Sequence, residues 1–275
     1  MTGRTRLRRW SAGSAALLLA AGLAACGSDD DDGGDPAAAG TSATESAADP
    51  AEFCEAAVDL EAGFSSGPGP GESAPPEEQQ AALEEFSATM EPLLADVEET
   101  APEEISDDVE TAAGLVREGI SGNDPSVLEG PEFQQADDAI DDYMLAECGY
   151  EQIEATGVDY EYEGLPDTVP AGVVAVTFTN EGEEVHEIGI ARINDDVPEP
   201  VEQLLTLPEE EVFSKLQVMG VTFARPGESE TTFLRMEEGR YGAACFVPQG
   251  TTDMESMASG APHFTLGMFA EFTAG

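Results

Sequence analysis

The sequence contains very few basic side chains. Ten Lys and Arg stand against 58 Asp and Glu in 275 residues, which gives a formal net charge of −48. Because phosphate binding needs clusters of Lys and Arg, this composition excludes nucleic acid as a partner. An acid-rich surface with a single lysine, Lys215, is typical of haloadapted secreted proteins. Docking to a basic partner is the alternative explanation of the charge.

Histidine and long apolar runs are also scarce. The two histidines, His186 and His263, are too few to build several His-rich metal centres, and neither lies beside a nucleophile motif. We therefore expect that the protein is not an enzyme. Beyond the first 25 residues, no stretch is apolar over the roughly 20 residues that a membrane-spanning helix needs.

The N-terminus has the pattern of an export signal. Four arginines precede a short apolar segment that ends in Leu23-Ala24-Ala25-Cys26, which resembles the bacterial lipobox. The resemblance implies that residues 1–25 are a signal peptide and that Cys26 is lipidated, so that the protein is extracytoplasmic and anchored to the cell membrane. Cleavage at an Ala-x-Ala site, with Cys26 as a bystander, is the alternative. Residues 26–48 are rich in Gly, Ser, Ala and Asp, and are predicted to be a disordered acidic tether.

Residues 49–150 have a helical pattern. Apolar residues recur three to four positions apart in four segments, which predicts an up-down-up-down four-helix bundle. In that topology the start of the first helix and the end of the last lie at the same end. Cys54 and Cys148 occupy these two places, so we expect a disulfide that stabilises the fold by about 4–5 kcal/mol in the chain-entropy model. Cys245 is then the odd thiol.

Residues 151–275 are predicted to form the second domain of an α+β protein. From Val158 onward the apolar period changes to two, and about seven short strands are separated by Gly and Pro. The pattern indicates a Greek-key β-sandwich, interrupted by a helical excursion over residues 198–217.

Several motifs of this second domain are spaced as in a known family. They are Val-Pro-Ala-Gly (169–172), Asn180-Glu181-Gly182, His186-Glu187, Gly239-Arg240-Tyr241, Ala244-Cys245-Phe246, and His263 with Met268 five residues later. Together, over about residues 158–275, they resemble the cupredoxins. The helical segment resembles no family that we can name.

The resemblance implies one type 1 copper site. His186 and His263 would be the two imidazole ligands, Cys245 the thiolate and Met268 the axial thioether, while Asn180 would pin the ligand loop through backbone hydrogen bonds. Such a soft donor set suits one-electron transfer by copper, which would require a redox partner protein.

One departure from the family pattern leaves alternatives open. Seventeen residues, 246–262, separate Cys245 from His263, where cupredoxins usually have only a few. This insertion could fold outward as a loop and return His263 to the site, because added loop residues cost little. Alternatively, copper has been lost and the sandwich is a metal-free binding or assembly module. In a third reading, Met254 and Met257 join the ligands of a copper storage or delivery protein.

Overall fold

The computed structural model describes residues 49–65, 67, 75–122, 124–254 and 256–275. The predicted signal peptide (1–25) and tether (26–48), together with the lipidation site Cys26, lie outside the described residues. No helix within the described ranges is both long and apolar enough to cross a membrane.

Four α-helices form the first part of the fold within the described ranges. Prolines in the first turns of α2 and α4 start these helices without losing an intrahelical hydrogen bond. A single 3₁₀ turn, Pro125–Glu129, connects α3 to α4. The helices are α1 (Pro50–Ser65), α2 (Pro76–Thr100), α3 (Ser106–Gly122) and α4 (Pro131–Glu147).

In the part of the chain that the structure describes, nine β-strands follow, and the change from helix to strand falls between Glu147 and Glu151. Two short helices, α5 (Val201–Leu204) and α6 (Glu209–Lys215), lie in the excursion that was predicted to be helical. The strands are β1 (Glu151–Val158), β2 (Glu161–Glu163), β3 (Thr168–Val169), β4 (Gly172–Asn180), β5 (His186–Ile193), β6 (Leu216–Ala224), β7 (Ser229–Met236), β8 (Gly239–Ala244) and β9 (Phe269–Ala274).

The strands form two sheets that face each other. One has the order β2-β1-β4-β7 and the other the order β3-β9-β8-β5-β6. The β1–β4 and β3–β9 pairs are parallel, and the remaining pairs are antiparallel. Alternate side chains from both sheets fill one core, which includes Phe178, Ile188, Leu234 and Tyr241. The strand-rich part is therefore a β-sandwich.

The helices pack on the outer face of the four-stranded sheet. Phe53 of α1 and Tyr143 of α4 share a buried cluster with Ala175 of β4 and Phe233 of β7. At the end of α1, the Ser65 hydroxyl donates over 2.7 Å to the backbone oxygen of Met219 in β6, the edge strand of the other sheet. An α+β fold is confirmed, but a four-helix bundle is not, because part of the apolar helix surface is buried against the sheet instead of against other helices.

The predicted disulfide joins Cys54 in α1 to Cys148 immediately after α4, across 94 residues of sequence. The Tyr150 hydroxyl donates to the Cys54 backbone oxygen over 2.7 Å, so the bridge lies where the helical layer meets β1. Among the cysteines of the described ranges, Cys245 is the free one, and it is buried.

Candidate metal centre

Strand register brings three of the four predicted ligands, His186, Cys245 and Met268, to one end of the sandwich. His186 is the first residue of β5, and Cys245 directly follows β8, which runs antiparallel to β5 with Gly189 opposite Ala244. Ala244 also pairs with Phe269, the first residue of β9, which directly follows Met268. His263 begins the 3₁₀ turn His263–Leu266, shortly before β9, and meets His186 and Cys245, which are 77 and 18 positions away in the sequence.

Three of these side chains converge on one point. His186 Nδ1 lies 3.0 Å from His263 Nδ1, and Cys245 Sγ lies 3.3 Å from His263 Nδ1. All ligand atoms of the three residues lie within 4.8 Å of one another. Each of the three residues has 0 % of its surface exposed. The cluster is therefore closed to solvent and small enough for a single ion.

The insertion between Cys245 and His263 closes at its base, and part of it packs against the sandwich, where Thr251 is fully buried. Pro248 and Pro262 form an antiparallel bridge, and the Gln249 N–H donates to the Ala261 oxygen over 2.9 Å. The His263 N–H donates to the Val247 oxygen over 3.0 Å. The long insertion thus returns His263 to the cluster, as the first of the three alternatives considered from the sequence requires.

A carboxylate holds the outer nitrogen of each imidazole. His186 Nε2 lies 2.8 Å from Asp159 Oδ1, and His263 Nε2 lies 3.0 Å from Glu184 Oε2. An ionised carboxylate accepts hydrogen bonds only, so each Nε2 is the donor. Each neutral ring then keeps a lone pair on Nδ1, directed into the cluster, as in metal-bound histidines whose other nitrogen is hydrogen-bonded to a carboxylate.

Further contacts keep Glu184 ionised. Burial opposes its ionisation, but hydrogen bonds from the Gly250 N–H, His263 and the Tyr160 hydroxyl together outweigh burial and lower the pKa of Glu184. The Tyr160 hydroxyl donates to Glu184 Oε1 over 3.0 Å and accepts from the Gln249 side chain over 2.9 Å. The Tyr160 ring centroid lies 4.7 Å from that of His263.

The donor set fits a metal ion. Two nitrogens bound at about 2.0–2.1 Å and about 100° apart lie about 3.1 Å from each other, close to the separation of the two Nδ1 atoms. Two lone pairs that face each other at 3.0 Å repel unless a cation lies between them. An added proton is disfavoured there, because burial lowers the pKa of His186 despite its contact with Asp159.

The thiol of Cys245 also requires a cation if it is to ionise. Burial raises its pKa to about 12, although the Glu187 N–H points at the sulfur over 3.4 Å. A thiolate ligand forms when a metal ion replaces the proton. Two neutral imidazoles and one such thiolate make up a soft trigonal donor set.

Asn180 fixes the loop that leads into His186. Its side-chain NH₂ group donates to the backbone oxygens of Glu184 and Ala224, both over 2.8 Å, and its Oδ1 accepts from the Gly182 N–H over 2.8 Å. Asn180 has no exposed surface. These bonds tie the segment of residues 180–184 to Ala224, the last residue of β6.

Met268 is buried in the same core as Cys245. Its backbone oxygen accepts from the Cys245 N–H over 3.1 Å, and its N–H donates to the His263 oxygen over 3.2 Å. Its backbone therefore lies beside two of the cluster residues, while the axial role of its sulfur stays a prediction. Met254 packs against the core, whereas Met257 is 50 % exposed.

The sequence analysis did not identify Asp159 and Glu184. In a chain with 58 acidic residues, two carboxylates give no signal of their own. Glu184 lies two residues before His186, but Asp159 follows β1, where no strand was predicted. Without that strand, nothing in the sequence connects Asp159 with the histidines.

A two-sheet sandwich that closes one end over a buried His-Cys-His cluster defines the strand-rich part as cupredoxin-like, and the resemblance inferred from the sequence is confirmed for this part. No protein-family model matches the chain, and no curated protein matches it either.

Several solved structures are similar to part of the chain. An auracyanin from the photosynthetic bacterium Roseiflexus castenholzii is 24 % identical, covers 46 % of this chain and 99 % of its own, and gives a TM-score of 0.30. Auracyanin A from Chloroflexus aurantiacus, described as a "blue" copper protein, is 17 % identical over 46 % of this chain and 100 % of its own, with a TM-score of 0.30. Auracyanin B is 18 % identical over 46 % and 88 %, with a TM-score of 0.31.

Proposed function

We propose that the protein binds one copper ion through His186, Cys245 and His263, with Met268 as the axial ligand, and that it transfers single electrons outside the cytoplasmic membrane. The observation that carries the proposal is the pair of Nδ1 atoms 3.0 Å apart, each left with a lone pair because the single N–H of its neutral ring is on Nε2 and donates to a carboxylate. The sulfur of Cys245 completes the set at 3.3 Å.

The choice of copper follows from the ligand types. Structural zinc sites have four strong ligands from Cys and His, whereas this cluster offers three strong donors and a neighbouring methionine. A His₂Cys set with a weak axial thioether is the donor set of blue-copper electron-transfer sites. Bound copper supplies a one-electron change between Cu(II) and Cu(I).

The remaining residues of the site hold its geometry. Asp159 and Glu184 fix the orientation of the two rings, and Asn180 fixes the loop before His186. The ligand residues are fully buried, which excludes water from the metal. A rigid, dry site keeps the ligands in one arrangement for both oxidation states, which favours fast electron exchange.

The cellular setting belongs to the same proposal. A lipid on Cys26 would anchor the chain to the cell membrane, and the tether of residues 26–48 would hold the folded part above it. The function would be electron exchange with a redox partner protein and not catalysis, because two histidines cannot build the further copper centres that a copper oxidase needs. The acidic surface favours a basic partner.

Titration of purified protein with Cu(II) tests the proposal. We expect one equivalent of copper to give an intense visible charge-transfer band, because the thiolate of Cys245 binds directly to the ion. Cys245→Ala should lose the band, and Met257→Leu, at the half-exposed methionine of the insertion, should keep it. Tight, colourless binding of Cu(I) alone would contradict electron transfer and favour a delivery protein. Absence of any copper binding would favour the metal-free module.

A further inference from the structure

Each imidazole of the cluster has a negatively charged carboxylate beside its outer nitrogen. Asp159 lies in the turn after β1 and Glu184 in the loop before β5, so the two carboxylates belong to different chain segments. Each lies one hydrogen bond behind a ligand ring, at 2.8 Å for Asp159 and 3.0 Å for Glu184. The Asp159 side chain is 31 % exposed and that of Glu184 is 17 % exposed.

No fixed positive charge compensates these carboxylates within the part of the chain that the structure describes. The Arg and Lys ion pairs found there join other acidic residues, and the ion-pair partners of Asp159 and Glu184 are the two histidines. The other contacts of Glu184 are neutral donors, the Tyr160 hydroxyl and the Gly250 N–H. A cation bound in the cluster would therefore face two carboxylates that no Arg or Lys of the described residues neutralises.

We infer that Asp159 and Glu184 are positioning residues that also set the redox potential of the proposed copper site, holding it lower than the His₂CysMet ligands alone would. The inference rests on the proposed function. A negative charge stabilises the more positive oxidation state, so both carboxylates favour Cu(II) over Cu(I). A carboxylate that accepts the Nε2 proton also makes the ring a stronger donor, which acts in the same direction.

The two contributions differ in size because the two side chains differ in exposure. Water screens a charge more strongly at Asp159 than at Glu184. Glu184 is also held by three donors, so its charge is fixed in position. We therefore expect the larger effect from Glu184.

The test is the midpoint potential of copper-loaded variants. Glu184→Gln and Asp159→Asn keep the shape of the side chain and remove its charge. We expect Glu184→Gln to change the ratio of the Cu(II) and Cu(I) dissociation constants at least tenfold in favour of Cu(I), which raises the potential by at least about 59 mV. Asp159→Asn should raise the potential by less. Glu183→Gln, an exposed neighbour with the same change of charge, should leave the potential close to that of the wild type.

The outcomes separate this inference from the proposed function. If the wild type shows the charge-transfer band, but Glu184→Gln and Asp159→Asn leave the potential unchanged or lower it, the inference is wrong and copper binding stands. If the wild type binds no copper, both are wrong. Glu184→Asp keeps the charge and controls for disturbed packing, so its potential should stay nearer the wild type than that of Glu184→Gln. The reverse order would also overturn the inference.

Discussion

At the scale of single residues, the ligands could be detected in the sequence because histidine is scarce. Two histidines and one unpaired cysteine leave few choices for a soft donor set, and the structure brings all three together. The carboxylates that orient the rings could not be found in this way, because acidic residues are everywhere in the chain. Their role depends on a backbone course that local patterns do not specify.

Gly182 is the residue at which the ring orientation can be tested. A Cβ atom there would lie 2.5 Å from Asp159 Oδ1 and 2.6 Å from His186 Nε2. Gly182→Ala should therefore separate this carboxylate from the ring and weaken copper binding by about 10–100-fold, measured by competition with a chelator. Gly114→Ala, where a Cβ would meet nothing within 4 Å, is the control. Equal affinities for Gly182→Ala and the wild type would count against the assigned ring orientation.

At the scale of elements, β1 shows why the strand prediction began too late. The inward residues of β1 include Ile153, Ala155 and Gly157, a weak apolar signal between acidic and polar neighbours. Gly157 is small because the Phe178 ring fills the space, and a Cβ atom there would lie 2.7 Å from that ring. Close packing against the neighbouring strand thus requires a small residue at this inward position. For this reason β1 lacks the alternation of large apolar side chains by which a strand is recognised in a sequence.

The interface between the helices and the four-stranded sheet contains a group of half-buried carboxyl groups. Glu61 of α1, Asp137 and Asp141 of α4, and Glu230 of β7 line one cavity of about 480 Å³. Glu61 accepts hydrogen bonds from the Thr232 hydroxyl and the Phe233 N–H. Burial is the largest cause of the raised pKa of each group, followed for Asp141 by the neighbouring Asp137 and Glu61. The pKa reaches about 7 for Glu61 and about 9 for Asp141.

Stability should therefore fall as the pH rises from 6.5 to 9. A carboxyl group whose pKa is raised in the folded state binds more protons folded than unfolded in this range, so the free energy of unfolding decreases with pH. Asp141→Asn should make the free energy of unfolding fall less steeply with pH. The change in slope should be less than about 1.4 kcal/mol per pH unit, because that value corresponds to one full proton and water partly screens this carboxyl group. Asp142→Asn, on the exposed side of α4, should leave the slope unchanged. Chemical denaturation at several pH values measures both, and an Asp141→Asn slope equal to that of the wild type would refute the assignment.

At the scale of the whole molecule, the order of helices before strands and the division of cysteines were predictable. Cys54 and Cys148 form the bridge between distant parts of the chain, and Cys245 is left for the cluster. What could not be predicted is that the helices share a core with the sheet through residues such as Ala175 and Phe233. The sequence of an apolar helix face does not indicate whether another helix or a sheet will cover it.

The central claim is that this fold brings His186, Cys245 and His263 onto a single copper ion. X-ray absorption at the copper edge of the loaded protein tests it most directly. We predict a first shell of two nitrogens at about 2.0 Å and one sulfur within about 2.3 Å, with the sulfur lost in Cys245→Ala. A shell of only nitrogen and oxygen atoms in the wild-type protein would contradict the claim.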